Sequence, residues 1–145
     1  MLVEPRVTLL TLGVRDVARA RRFYVDALGW PALLVADEIV MVRVDPGLVL
    51  SLWDLEAMRA EVGTVGDPAT ASITLAHNVP DPAAVTRVLD EAVAAGGTLV
   101  RPGEQREWGG FSGYFADLDG YRWEVAHNPG LVVTPDGTVT LGPAG

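Results

Sequence analysis

The sequence contains no cysteine and only two histidines, His77 and His127, among its 145 residues. The first absence excludes disulfides, thiolate metal sites, iron–sulfur clusters and cysteine nucleophiles. The second makes an imidazole-rich centre hard to assemble, because a metal needs several donors converging, at about 2.0–2.2 Å in the zinc case. Long apolar runs are also missing. The longest are strand-length and are broken by Arg43, Asp45 or Thr64, well short of the roughly 20 residues that a membrane helix needs. The opening MLVEPRVTLL carries Glu4 and Pro5 and no secretory-type apolar core. These features lead to the expectation of a cytoplasmic protein without a membrane partner. A formal net charge of −8 would repel a phosphate backbone, and only Arg19, Arg21 and Arg22 lie close together among the basic residues. No nucleic-acid partner is expected. The three arginines flank the apolar stripe of a predicted helix and read as a solvated face, with an anion site as the alternative. No G-x-G-x-x-G follows a strand, and neither a G-x-S-x-G elbow nor an H-E-x-x-H pair occurs.

Hydrophobic residues make up 49% of the chain and charged residues 21%, the composition of a globular domain rather than a disordered chain. Residues 6–15, RVTLLTLGVR, are β-branched and aliphatic and end at Asp16, a helix N-cap. Apolar residues at helical spacing, Val17, Ala20, Tyr24, Ala27 and Leu28, predict a helix closed by Gly29. Strand-like runs follow at about 33–36, 39–44 and 48–53, the last two joined by Asp45-Pro46-Gly47. The order is β, α, β, β, β.

The same order then repeats. A strand is expected over 72–79 and a helix capped by Asp81-Pro82 and ended by Gly96-Gly97. Strands are expected near 98–100, at 111–116 and at 121–126, the last two joined by the turn Asp117-Leu118-Asp119-Gly120. LGVRDVARARRFYVDALG answers HNVPDPAAVTRVLDEAVAAGG, and VRVDPGLVLSLW answers YFADLDGYRWEV. One domain over 1–145 is therefore expected, with module one at about 6–53, a linker at 54–70 holding a short helix at 54–61, module two at about 71–128, and a C-terminal hairpin at 129–145 around Pro135-Asp136-Gly137.

Tandem βαβββ halves, with TLGVRDVARARRFYVDALGW near the start and GGFSGYFADLDGYRWEVAHNP near the end, resemble the glyoxalase/bleomycin-resistance/extradiol-dioxygenase (vicinal oxygen chelate) superfamily over about residues 6–129. The resemblance implies an α+β fold in which the two modules form curved mixed sheets around a cavity. It also implies homodimer formation, and a divalent metal held from the first and fourth strands of each half. Carried over by position, those four places fall on Leu9, Ser51, Ser72 and Glu124. Leucine cannot ligate and serine is not a usual ligand for a divalent metal, so only Glu124 matches. Glu124 and His127 are three apart on a strand and point to opposite faces. His77 lies roughly 16 Å along the chain from Ser72 at about 3.3 Å per residue. The expectation is thus a chain without a cofactor, a divalent metal on non-standard ligands being the alternative.

The candidate site residues are Trp53, Ser51, Ser72, Trp108, Phe111, Tyr114 and Glu124. The rings could stack against a flat ligand, or pack in the core. Trp108 and Phe111, in the glycine-rich REWGGFSG, read as a cavity mouth. Glu124 would be a polar anchor or, in an enzyme, a general base. Two functions are consistent with these residues. One is a metal-free protein that binds a small apolar or aromatic molecule, possible antibiotic sequestration included. The other is a lyase or isomerase, or a dioxygenase-type enzyme, relying on Glu124. Asp117 and Asp119 are read as turn formers, and Phe23 and Tyr24 as core.

Overall fold

The computed structural model describes residues 3–142. The chain divides after Val65 into two compact units, each built as β, α, β, β, β.

In the first unit, β1 (Leu9–Val14) leads into α1 (Val17–Arg21), followed by β2 (Ala32–Val35), β3 (Ile39–Asp45), β4 (Leu48–Asp54) and α2 (Leu55–Val62). The sheet order is β1-β4-β3-β2, with β1 and β4 parallel and the other pairs antiparallel. Parallel neighbours need a crossover, and α1 supplies it. Asp16 starts that helix by accepting the Arg19 amide at 2.9 Å. The expected helix over 17–28 is present, but from Arg22 to Ala27 it widens into a π-helical turn, with the Leu28 amide donating to the Phe23 carbonyl. Gly29, at a φ of 77°, then reverses the chain. Alternation places Leu12, Val14, Val40, Val42, Leu50 and Leu52 on one face, all buried with Phe23 and Tyr24 of the crossover. The two rings meet edge to face, 4.9 Å apart.

The second unit follows the same plan with β5 (Thr74–Asn78), α3 (Pro82–Ala94), β6 (Thr98–Gln105), β7 (Phe111–Ala116) and β8 (Arg122–His127). Its order is β5-β8-β7-β6, with β5 and β8 parallel. Asp81 caps α3 through the Ala84 amide at 2.8 Å, and Pro82 takes the first turn, where its missing N–H costs nothing. The helix lies on the face that carries Leu75, Phe115, Trp123 and Val125, all buried. Contact is close because β7 carries a glycine beneath it. A Cβ on Gly113 would stand 2.5 Å from Leu89 and 2.9 Å from the Arg101 carbonyl.

One strand exceeds the expectation. β6 runs to Gln105 instead of stopping near residue 100, since Pro102-Gly103, which reads as a break, lies on an edge strand where a proline needs no partner on its outer side. Its register with β7 shifts on both sides of Arg101. The C-terminal hairpin forms a separate two-stranded sheet of β9 (Leu131–Val133) and β10 (Val139–Leu141); residues 143–145 of the expected segment lie outside the described residues. In its turn, hydrogen bonds from the Thr134 hydroxyl and then the Thr138 amide lower the pKa of the Asp136 carboxyl from its ordinary value to about 2. Among the described residues no helix is long and apolar enough to cross a membrane.

The turn between β7 and β8 rests on Asp117, which is 5% exposed. Its Oδ1 accepts the amides of Asp119, Gly120 and Tyr121 at 2.9–3.0 Å. Replacing it with alanine leaves these donors without that acceptor and should cost about 1–3 kcal/mol. Asp117→Asn retains an acceptor oxygen and should lose less. Urea unfolding of both variants checks this; an alanine variant as stable as the parent would contradict it.

Candidate functional site

Strand alternation divides the second sheet into two chemically different faces. Toward α3 point Leu75, Phe115, Trp123 and Val125; away from it point Thr74, Ala76, Ser112, Tyr114 and Glu124. Tyr114 and Glu124 are directly opposite each other on β7 and β8. The Tyr114 hydroxyl donates to Glu124 Oε2 at 2.8 Å. On the other side of Glu124, its partner on β5 is Ala76, whose single methyl group leaves room beside the carboxylate. The second carboxylate oxygen, Oε1, makes no hydrogen bond to the described residues.

Arg106 completes the cluster. Its Nε donates to Ser112 Oγ at 2.9 Å and one terminal nitrogen to the Ser112 carbonyl at 3.0 Å. The other terminal nitrogen pairs with Glu104 at 2.7 Å. The guanidinium carbon then lies 6.0 Å from the centre of the Tyr114 ring, at the limit of a cation–π contact. Burial raises the Tyr114 phenol above its ordinary value of 10.0; the hydrogen bond to Glu124 and the charge of Glu124 raise it further, while Arg106 opposes them. Tyr114 is therefore a protonated donor near neutral pH. Glu104 offsets the charge of Arg106, so the Glu124 carboxylate is the unbalanced charge of the cluster. Such a group can anchor a cation or a hydrogen-bond donor, or accept a proton from a bound molecule.

Within the second unit the structure brings two of the sequence-derived candidates together, Tyr114 and Glu124. Ser51 and Trp53 lie in the first unit, on the β4 face opposite the buried Leu50 and Leu52. Ser51 stands between Thr11 and Met41 on the flanking strands. It is 1% exposed, and its Oγ has no hydrogen-bond partner among the described residues. Trp53 is half-buried between Gly13 and Ile39. Ser72 precedes β5. Leu9 stands two residues before Thr11, the partner of Ser51, and Thr74 stands two before Ala76, the partner of Glu124. Register thus makes Thr74 the counterpart of Leu9. Phe111 points to the α3 side, where its ring abuts Gly103, and Trp123 stacks on Phe115 at 6.2 Å in the core. Trp108 is 54% exposed and folds back over Gly110 in the β6–β7 turn. Arg106 was not among the candidates. Its proximity to Ser112 follows from β6 reaching Gln105, which Pro102-Gly103 concealed.

The donor set does not fit a chelated metal. The positions equivalent to the family's ligands hold Leu9, Ser51, Thr74 and Glu124, and among the described residues no group of three or more histidines and carboxylates could hold an ion. His77 and His127 lie on the strand faces that carry Val125 and Trp123, away from Glu124. Burial lowers the pKa of His77, favouring its neutral form.

Residues 6–125 match the profile of the Glyoxalase/Bleomycin resistance protein/Dioxygenase superfamily. A glyoxalase-related enzyme from Fulvimarina pelagi is 36% identical, superposes with a TM-score of 0.88, and the match covers 95% of this chain and 99% of that one. A glyoxalase/bleomycin resistance protein/dioxygenase from Nocardioides shares the fold at 22% identity and a TM-score of 0.73, covering 88% of this chain and 85% of that one. A hypothetical protein from S. aureus does so at 17% identity and a TM-score of 0.75, covering 87% and 95%. No match is found among curated proteins.

The Tyr114–Glu124 bond has a pH signature. A phenol raised in the folded state stabilises it fully below the ordinary value of 10.0, and that contribution is lost as pH rises through the higher folded value. Ultraviolet difference titration against Tyr114→Phe should place the Tyr114 ionisation above 10.0 in the parent and closer to it in Glu124→Gln. An unchanged titration in Glu124→Gln would show that the two groups are not coupled.

Proposed function

Because the chain belongs to the glyoxalase/bleomycin resistance protein/dioxygenase superfamily, we propose that it uses this fold to bind a small apolar or aromatic molecule, without a metal, at the Tyr114–Glu124 cluster. The observation that carries the reading is the state of Glu124. One carboxylate oxygen is held by a tyrosine, the other is unengaged by the described residues, and a small alanine stands beside it. The equivalents of the other ligand positions are a leucine, a serine and a threonine, which favours a metal-independent role. With Arg106 paired to Glu104, the remaining negative charge selects a cationic or donor-bearing ligand, and the protein's net charge of −8 adds long-range attraction. Sequestration of an antibiotic of that chemistry belongs to this reading.

One observation favours a catalytic alternative. Glu124 is a proton acceptor whose neighbour Tyr114 is a proton donor, the minimum equipment for a lyase or isomerase that removes a proton from one atom and returns it at another. The 36% identical Fulvimarina pelagi protein is described as an enzyme, which gives that alternative its weight.

Elemental analysis of protein purified without chelator or a metal-binding tag should find far less than one equivalent of iron, manganese, nickel or zinc. A thermal-shift screen of aromatic cations should then find ligands that raise Tm, since a hundredfold excess over Kd supplies about 2.7 kcal/mol. Glu124→Gln should weaken a hit by about 1.5–3 kcal/mol, the range for a hydrogen bond to a charged group. Stoichiometric metal that disappears in Glu124→Ala would sink the metal-free reading. Turnover of a hit, reduced about 10²–10⁴-fold by Glu124→Gln, would establish the catalytic one.

A further inference from the structure

A second site of different chemistry lies in the first unit. Val17, Ala18 and Arg21 of α1, with Val35, Ala36, Asp37 and Val40 from β2, the following turn and β3, enclose a cleft of about 270 Å³. Its lining residues are aliphatic apart from two, the half-buried Arg21 and the exposed Asp37. These two side chains do not pair: no salt bridge links Arg21 and Asp37, and neither side chain hydrogen-bonds to another described residue. Arg21 is not the fully solvated side chain expected from its sequence neighbourhood. It is half-buried, and its Nε–H is buried without an acceptor. Buried donors are almost always matched, so an unmatched one calls for a partner outside the chain's own atoms.

We propose that this cleft binds a small zwitterion of the α-amino-acid class with an aliphatic side chain. Arg21 takes the carboxylate, Asp37 the ammonium group, and the valines the side chain. An anion alone would satisfy Arg21 and be repelled by Asp37; a cation alone would do the reverse. Only a ligand with both charges matches both residues while its apolar part covers Val17, Val35 and Val40. A guanidinium and a carboxylate each bind the opposite charge through charge-assisted hydrogen bonds. The cleft is formed by residues 17–40 and shares no residue with the Tyr114–Glu124 cluster, so it stands or falls independently of the function proposed above.

The test uses three related probes, L-leucine, N-acetyl-L-leucine and L-leucinamide, titrated into the full chain by isothermal calorimetry and amide NMR. Leucine should bind saturably and shift the amides of Val17, Ala18, Val35, Ala36 and Val40. The two single-charge analogues should bind at least about tenfold more weakly, as should leucine to Arg21→Gln or Asp37→Asn with unchanged circular dichroism. The proposal is overturned if leucine shows no saturation by about 50 mM, if either analogue matches it, or if neither variant weakens it. Shifts confined to residues outside the cleft would overturn it too.

Discussion

Everything in each unit depends on the parallel pairing of its first and fourth strands. Parallel neighbours cannot be joined by a tight turn, so a helix must cross over the sheet between them. Asp16 and Asp81 mark where those crossovers begin, each satisfying a backbone amide that would otherwise lack a partner. Once β5 lies beside β8, Glu124 is flanked by Ala76 on one side and Tyr114 on the other. The same register in the first unit places Ser51 between Thr11 and Met41. The chemical difference between the two halves therefore comes from side chains at equivalent points of one scaffold.

The helix that makes the pairing possible also divides the residues between core and site. α3 buries Phe115, Trp123 and Val125, and strand alternation then obliges Tyr114 and Glu124 to face away from it. Aromatic residues that are neighbours in sequence thus part company. Tyr114 belongs to the polar cluster, Phe111 and Trp123 to the helix side, and Trp108 to the surface turn. The polar cluster is a hydrogen-bonded pair edged by an arginine tethered to Ser112.

Membership of a superfamily known for metal chelation does not carry the chemistry with it, because function resides in the site and not in the fold. Here the scaffold is retained and one carboxylate of the ligand pattern remains. A lone carboxylate held by a tyrosine is suited to recognition of a donor or to proton transfer rather than to holding an ion. In the first unit, Arg21 keeps a buried Nε–H without an acceptor among the described residues, so an unmatched polar group is not confined to that cluster.

The sequence by itself determined the order of elements, the two-module repeat and the capping aspartates. These are local properties: hydrophobic period, turn residues and caps act within a few positions of the chain. Its departures, in the extent of β6 and in the π-helical winding of the first crossover, arise where edge position and tertiary packing outweigh local signals. Only the tertiary structure decided that Tyr114 donates to Glu124, that Arg106 is tied to Ser112 and Glu104, that Thr74 rather than Ser72 is the counterpart of Leu9, and that Arg21 and Asp37 share a cleft without meeting. Each of these depends on strand register or helix placement, and a shift of one residue would turn the same side chains to the opposite face.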